Sequence, residues 1–389
     1  MRDWQQALAA ELPAAIALRR LVHSDPEPSG AETRTVERVG AAIGERSTEV
    51  ADTGRLIRIG ADGGPCVAVR AELDALPVIE RTASPDAARN GFMHACGHDV
   101  HMAAVAALAR AAAGLELPLA LLAILQPREE RPPSGAHDIL AATALESHDV
   151  RAVVGAHVQP LLERGTVAAT TGGVNAASDR FDIVITGRGG HGGYPHLARD
   201  PVVAMAHVVT AVQQVVSRRI DPLHPAVLTI GSMHAGSAGN VIPDEARAHG
   251  TLRVLDERDR EPARGELAAI IEQVAGACGC VGELHLYPGE PALVNDPELT
   301  MRSHEWLRSF GFELSAPLRS CGADDFAYYG AVAPSLMMFV GVEQAGEAAD
   351  RAMLHEATFH PSDAAVGDVA HALLAGYLAA VDLVQRSVV

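Results

Sequence analysis

A series of short apolar runs separated by helical segments limits what this chain can fold into. Leu117–Leu125 is a continuous apolar run, and Arg151–Val158 is a second one. Such runs are typical of strands that are buried on both faces of a parallel sheet. Cys66–Leu73 alternates like a further strand and ends at Asp74, and the Ala-rich segment His101–Ala113 is a strong helix former. Strands that alternate with helices predict an α/β fold with a parallel sheet.

The pattern changes near Ala177, where a second arrangement of elements begins. Six elements follow in the order strand, helix, strand, strand, helix, strand: Phe181–Thr186, Pro201–Arg218, Ala226–Met233, Ala246–Val254, Arg258–Gly276 and Val281–Tyr287. This βαββαβ order is that of a small ferredoxin-like sandwich. The α/β pattern then resumes with the strand Ser335–Val340. We therefore predict an α/β domain made of residues 1–177 and 289–389, interrupted by an inserted domain of residues 178–288.

Composition excludes several classes of function. The 389 residues include 31 basic and 49 acidic side chains, for a net charge of −18, so we expect no nucleic-acid binding. The longest apolar stretch is far shorter than the about 20 residues of a membrane helix, and the acidic N-terminus is unlike a signal peptide. The five scattered cysteines do not form a disulfide framework, which indicates a reducing cytoplasm.

The densest group of metal-binding side chains is HACGHDVH, residues His94–His101. Cys96 and His98 flank a glycine, so both side chains can converge on one point in a turn. The helix that follows would favour a thiolate at its N-terminus, and Asp99 could orient an imidazole. The alternative is a polar turn around an ordinary buried cysteine, but the number of ligand types favours a metal site. No second Cys/His pair follows at zinc-finger spacing.

A pair of carboxylates, Glu129 and Glu130, comes directly after the apolar run Leu117–Leu125 in the sequence QPREE. The carboxyl ends of parallel strands are where α/β folds place ligands. Because neighbouring side chains diverge, one Glu can bind a metal while the other acts as a base toward water, as a hydrolase requires. The alternative is a solvated acidic loop.

Two histidines are unremarkable in isolation. His157 lies near the end of the run Arg151–Val158, where a core histidine is the usual explanation. His355 follows Met353-Leu354, with His360 five residues later. Either residue gains meaning only beside other ligands.

The inserted domain carries its own polar candidates. The loop Gly187–Gly193 contains His191 and can expose backbone N–H groups to an anion, but it lacks the Lys-Ser/Thr of a phosphate loop. Asn240 lies in GSAGNVIPDE, and Arg253 can bind a carboxylate with two prongs. The alternative is a surface hairpin with a surface arginine.

Eight motifs occur in an order that resembles one known family. Together they are similar to the aminoacylase, hippurate hydrolase and auxin-conjugate amidohydrolase branch of the carboxypeptidase-G-like two-metal peptidases. The resemblance runs from about His23 to Asp363. The motifs are RAELDALP (Arg70–Pro77), HACGHDVH (His94–His101), QPREE (Gln126–Glu130), AHV (Ala156–Val158), GRGGHGGYPH (Gly187–His196), AGSAGNVIPDE (Ala235–Glu245), GADDFAYY (Gly322–Tyr329) and LH (Leu354–His355).

The resemblance implies a zinc-peptidase-like catalytic domain with a mixed sheet and two divalent metal ions per chain. Cys96 would bridge the ions as a thiolate, and Glu129 would be the general base. Asp74 would orient a metal ligand without binding the metal itself. The ions would be Zn²⁺ or Mn²⁺, with Co²⁺ or Ni²⁺ possible at the same ligands. The remaining ligands would be His98, Glu130, His157 and His355.

The resemblance also implies that the inserted domain is a lid and dimerisation domain in a homodimer. His191 would reach the partner subunit's active site and help to stabilise the oxyanion. Asn240 and Arg253 would hold the free carboxylate of a small N-acyl amino acid. The expected reaction is hydrolysis of that substrate's amide bond to a carboxylic acid and a free amino acid.

Other functions remain open at this point. A dipeptidase or an N-carbamoyl amino acid hydrolase could use the same scaffold. A metal-stabilised binding protein would lack the base or part of the ligand set, and here all are present. Departures from the family pattern include Glu72 in place of the usual Asp and Arg131–Ser134 in place of a run of glycines.

Overall fold

The computed structural model describes residues 2–44, 46–344 and 351–386, which divide into two compact units. The first contains Met1–Gly172, Val294–Leu318 and Tyr328–Val389, and the second contains Gly173–Leu293 and Arg319–Ala327. The helices are α1 Arg2–Ser24, α2 Thr33–Ile43, α3 His98–Ala113, α4 Gly135–Ala141, α5 Pro201–Ala211, α6 Arg260–Ala277, α7 Pro297–Ser309 and α8 Ala364–Arg386. The strands are β1 Ser47–Val50, β2 Gly54–Ile59, β3 Cys66–Glu72, β4 Ala120–Gln126, β5 Val150–Gln159, β6 Thr166–Ala168, β7 Gly172–Asn175, β8 Ala177–Thr186, β9 Gly190–His191, β10 Ala226–Ala235, β11 Val241–Ile242, β12 Glu245–Val254, β13 Val281–Pro288, β14 Leu293–Asn295, β15 Glu313–Leu314 and β16 Ser335–Gly341.

An eight-stranded mixed sheet forms the centre of the first unit, in the order β1-β2-β4-β3-β5-β16-β6-β15. The four strands β4, β3, β5 and β16 run parallel to one another. The pairs β1–β2, β2–β4 and β6–β16 are antiparallel. The predicted α/β class with a mixed sheet is therefore confirmed.

The parallel strands are apolar because they are covered on both faces. Every residue of β3, β4 and β16 is buried. The continuous apolar run predicted this for β4, whereas the alternation of β3 did not predict the burial of Arg70 and Glu72. The helix α3 is buried on almost all sides, and its many alanines let α1 and α8 approach it closely. It begins at His98 rather than at the predicted His101. The sequence also predicts a helix over Glu32–Glu45, where the structure has α2, and Glu45 lies outside the described residues.

The C-terminal helix α8 is a core element of the first unit. By length and composition alone it could cross a membrane, but 78% of its most apolar window is buried inside the protein. It packs against β5, α3 and α7. Within the described residues it is the one helix that meets that test.

The second unit contains the βαββαβ succession that the hydrophobic pattern predicted. Its four-stranded sheet is antiparallel in the order β10-β12-β8-β13, and α5 and α6 share a hydrophobic core with it. The predicted helix Pro201–Arg218 is interrupted, because α5 ends at Ala211 and a π-helical turn occupies Val215–Arg219. The short strands β9 and β11 form a separate antiparallel pair in the same unit.

Candidate metal centre

Strand register brings distant polar residues of the first unit to one edge of its sheet. Glu72, at the end of β3, is paired with Gln126, at the end of β4. Asp74 follows β3 by two residues, the pair Glu129-Glu130 follows β4, and His157 lies near the end of β5. Because these strands are parallel, their carboxyl ends meet at the edge where α/β folds bind ligands.

A tight turn places Cys96 and His98 beside the end of β5. Gly97, between them, has a left-handed backbone with φ of 84°, and a Cβ there would lie 2.4 Å from Val158 Cγ2. Only glycine therefore fits without displacing Val158. His355 joins this turn through its backbone N–H, which donates to Ala95 O at 2.8 Å.

The five predicted ligands converge within the first unit. Cys96 Sγ lies 3.4 Å from His157 Nε2 and 3.3 Å from His355 Nε2. The Nε2 atom of His355 is in turn 3.2 Å from Glu130 Oε1. His355 has a positive φ of 69°, a strained conformation of the kind that clusters at functional sites. His360, the other histidine of this segment and the less favoured candidate from the sequence, packs instead against the ring of His23.

Overlapping groups of possible ligand atoms occur at this edge, and two of them share Glu130. Cys96, Glu130 and His355 offer atoms that all lie within 4.8 Å of one another. His98, Glu129 and Glu130 form a second such group, in which His98 Nε2 is 4.0 Å from Glu129 Oε2. Since Glu130 belongs to both groups, the arrangement has donors for two neighbouring cations.

Hydrogen bonds orient two of the imidazoles for ligation. His98 Nδ1 donates to the backbone oxygen of Asp74 at 2.8 Å, and His157 Nδ1 donates to Val158 O at 2.7 Å. In both rings Nε2 then faces the site, which is the usual arrangement of a metal-binding histidine. His98 Nε2 is buried and has no hydrogen-bond partner within the described ranges, so the donor set fits a metal ion.

Asp74 connects the two sides of the site. Its Oδ2 accepts from Ser29 Oγ at 2.6 Å and from the backbone N–H of Glu130 at 3.0 Å, and its Oδ1 lies 3.6 Å from His98 Nδ1. Burial alone would raise the pKa of Asp74, but the bonds from His98 and Ser29 lower it to about 2. The carboxylate is therefore ionised at neutral pH and holds both His98 and Glu130.

The electrostatics of the site favour a cation. Burial, together with the charges of Glu130 and Glu129, raises the pKa of the Cys96 thiol well above its ordinary value. Although burial opposes it, the charge of Glu72 raises the pKa of His98 to about 10. A divalent cation would compete with both protons and convert these groups into a thiolate and a neutral ligand.

The three candidates of the inserted domain lie in the second unit. His191 is exposed on β9, and its Nδ1 accepts from the backbone N–H of Gly193 at 2.9 Å. Asn240 is adjacent, since its backbone oxygen accepts from Gly192 at 2.8 Å. Arg253 is half-buried on β12, and its guanidinium donates to Cys321 O at 3.0 Å.

The partners of two buried carboxylates, Asp99 and Glu72, were missed from the sequence. Asp99 does not orient an imidazole of the site, because it bonds Arg19 at 2.8 Å and His23 at 2.9 Å. Glu72 bonds His101 at 2.9 Å. For the contact between Glu72 and His101, the only sequence signal is that His101 lies three residues after His98, on the same face of α3.

Comparison with known proteins gives consistent results. The sequence model of Peptidase family M20/M25/M40 matches residues 68–375. N-acetylcysteine deacetylase of Bacillus subtilis (strain 168) is 35% identical over 335 residues, which are 84% of this chain and 87% of that protein. N-acetyldiaminopimelate deacetylase of Halalkalibacterium halodurans is 32% identical over 359 residues, 90% of this chain and 95% of that protein. The crystal structure of Bacillus subtilis YXEP, a dinuclear metal binding peptidase, has a TM-score of 0.83 at 29% identity and covers 97% of this chain and 99% of its own.

Proposed function

Because this chain belongs to Peptidase family M20/M25/M40, we propose that it hydrolyses the amide bond of an N-acyl amino acid and releases a carboxylic acid and a free amino acid. The observation that carries the proposal is the convergence of five ligands beside a further carboxylate, Glu129. The names of two relatives, deacetylases of N-acetylcysteine and of N-acetyldiaminopimelate, support an N-acyl amino acid as the substrate class.

The roles of the chain's residues follow from this reaction. Cys96, His98, Glu130, His157 and His355 hold two divalent ions. When bound, these ions supply a water of lowered pKa and polarise the amide carbonyl. Glu129 accepts the proton of the attacking water and delivers it to the leaving nitrogen. Asp74 keeps His98 and the backbone of Glu130 in place through the contacts described above.

The second unit supplies the remaining roles. We assign to Asn240 and Arg253 the binding of the substrate carboxylate, and to His191 stabilisation of the oxyanion in the partner subunit's active site. This assignment makes the second unit a lid and dimerisation domain. We also assign the enzyme to the cytoplasm, where an isolated cysteine such as Cys96 stays reduced. The mixed S, N and O donors suit Zn²⁺ or Mn²⁺, and also Co²⁺ or Ni²⁺.

The adjacent carboxylates provide a matched test. Glu129→Gln should lower kcat by roughly 10²–10⁴-fold, because the proton acceptor is lost, while the protein still holds two metal ions per chain. Glu130→Gln should instead lower the metal content, because a ligand is lost. Turnover of acetylated amino acids and elemental analysis of the same samples separate the two effects. Full activity of Glu129→Gln would refute the assignment of the base.

The acyl group is identified by a substrate panel. Acetyl, benzoyl, carbamoyl and aminoacyl derivatives of one amino acid are compared at equal concentration with Zn²⁺ or Mn²⁺ present. Preference for an acetyl or benzoyl derivative is expected. Preference for the carbamoyl or aminoacyl derivative would instead identify a carbamoylase or a dipeptidase on the same scaffold.

A further inference from the structure

His101 has no place in the ligand set, yet its ring lies beside the rings of two proposed ligands, His98 and His157. It follows His98 by three residues on α3, and the centres of these rings are 5.7 Å apart. The centre of its ring is 4.6 Å from that of His157. The side chain is buried, with 1% exposure. A polar ring in such a position needs partners for both nitrogens.

The first partner is a backbone group at the end of β5. The ladder between β3 and β5 ends at the pair Arg70–Gly155, three residues before Val158. The N–H of Val158 donates to His101 Nε2 at 3.0 Å. The imidazole of His101 therefore supplies the hydrogen-bond acceptor that a neighbouring strand would otherwise supply. Without an acceptor, this buried N–H group would destabilise the fold.

This bond determines the tautomer of His101. An N–H can only donate, so Nε2 must be unprotonated and Nδ1 must carry the hydrogen. Nδ1 lies 2.9 Å from Glu72 Oε2, to which it donates. Both ring nitrogens are thus occupied, and His101 is not available as a metal ligand, although it lies in a group of ligand atoms with Glu72, His98 and His157.

The carboxylate that receives this hydrogen is itself held in place. Glu72 forms a buried ion pair with Arg70, and Arg70 Nε donates to Gln126 Oε1 at 2.9 Å. A continuous polar chain therefore connects Gln126 on β4, Arg70 and Glu72 on β3, and His101 on α3. Its last member is Val158 on β5. The chain joins the ends of three parallel strands directly at the metal centre.

We propose that His101, kept in one tautomer by Glu72, is a positioning residue that fixes the end of β5 so that His157 presents its Nε2 to the metal. The connection is the residue Val158. The N–H of Val158 donates to His101 at 3.0 Å, and the carbonyl oxygen of Val158 accepts from His157 Nδ1 at 2.7 Å. The inference rests on the proposed function, since it concerns the ligand His157.

Two variants of matched size test this role. In His101→Gln, the amide oxygen can accept from Val158 N–H and the amide nitrogen can donate to Glu72. In His101→Met, a side chain of the same length offers neither contact. We expect His101→Met to bind Zn²⁺ and Co²⁺ about 10–100-fold more weakly in chelator competition, and His101→Gln to retain most of the affinity.

A spectroscopic measurement separates positioning from loss of fold. The Co²⁺-substituted protein should show a thiolate-to-metal absorption band, and this band should shift in His101→Met but not in His101→Gln. Equal affinity and equal spectra for His101→Met and the wild type would overturn the proposal. Equal losses in both variants would also overturn it, because then ring shape rather than hydrogen bonding would matter.

If His101→Met does not fold, Glu72→Gln still tests the proposed role of His101. The new amide can donate to Nδ1 of His101, which would move the ring hydrogen to Nε2, against Val158 N–H. Weaker Co²⁺ binding with an unchanged circular dichroism spectrum is expected, because the amide is a poorer acceptor than the carboxylate, and wild-type affinity would refute the role given to the Glu72 carboxylate in keeping His101 in one tautomer. A wild-type protein that binds no pair of metal ions would refute the proposed function instead, before any variant is compared.

Discussion

Two neighbouring arginines, Arg19 and Arg20, offer a direct test of how burial determines the strength of an ion pair. Both guanidinium groups bond Asp363. Arg19 is 2% exposed, and it also bonds Asp99 at 2.8 Å and the backbone oxygen of Pro361 at 3.0 Å. Arg20 is 55% exposed on the same helix, α1. The pair therefore shares a partner and differs in solvation.

Replacing Arg19 by Met should be strongly destabilising. It leaves the carboxylate of Asp99 buried, at 1% exposure, without its guanidinium. Removing one member of a buried pair costs about 3–5 kcal/mol. His23 still contacts Asp99 at 2.9 Å, so we expect a cost near the lower limit, about 3 kcal/mol. Arg20→Met should cost far less, because water screens the exposed pair.

Urea unfolding of the metal-free protein measures the difference. Both tryptophans, Trp4 and Trp306, lie in the first unit, so their fluorescence reports on the unit that contains Arg19. With a slope of about 3 kcal/mol/M, the midpoint of Arg19→Met should fall by about 1 M, and that of Arg20→Met should hardly move. Equal shifts for the two variants would refute the argument from burial.

Two further predictions concern the first unit. Gly97→Ala should destabilise the first unit by about 2–5 kcal/mol, because of the left-handed backbone and the 2.4 Å approach to Val158. It should also weaken Zn²⁺ binding in chelator competition. Gly91→Ala is the control for the backbone cost alone, because Gly91 has a φ of 89° and open space around it. Burial lowers the pKa of His23, but hydrogen bonds to Asp99 and Glu80 outweigh burial and raise this pKa to about 9. The stabilisation of the fold by protonated His23 is therefore fully present below pH 6.5 and is lost as the pH rises toward 9. Urea midpoints of the metal-free protein should fall over this range, and a fall of the same size in His23→Gln would contradict this cause.

The elements that could be predicted best are those with the simplest environments. The strand β4 is indicated by its continuous apolar composition, and β3 is indicated by its alternating pattern. The cluster around Cys96 could be recognised because several ligand types lie within eight consecutive residues. Where the residues that determine an element are neighbours in the chain, the local sequence is enough to predict that element.

Other features depend on partners far away in the chain. The bond between Arg19 and Asp99 joins residues 80 positions apart, and that between His101 and Glu72 joins residues 29 positions apart. Neither pair has a local signature. The antiparallel hairpin β1–β2 was not predicted, because its four-residue first strand is largely exposed and lacks an apolar pattern. The end of α5 at Ala211 was missed because the apolar spacing continues past it.

The five proposed metal ligands come from segments spread over almost the whole of the first unit. Cys96 and His355 are 259 positions apart, yet their side chains lie 3.3 Å from each other. A bound ion would therefore act as a cross-link that the unfolded chain cannot form in the same way. By mass action, free metal at a thousand times its dissociation constant would add about 4 kcal/mol to the stability of the folded state. In this chain the supply of metal would set the amount of folded protein as well as the rate of its reaction.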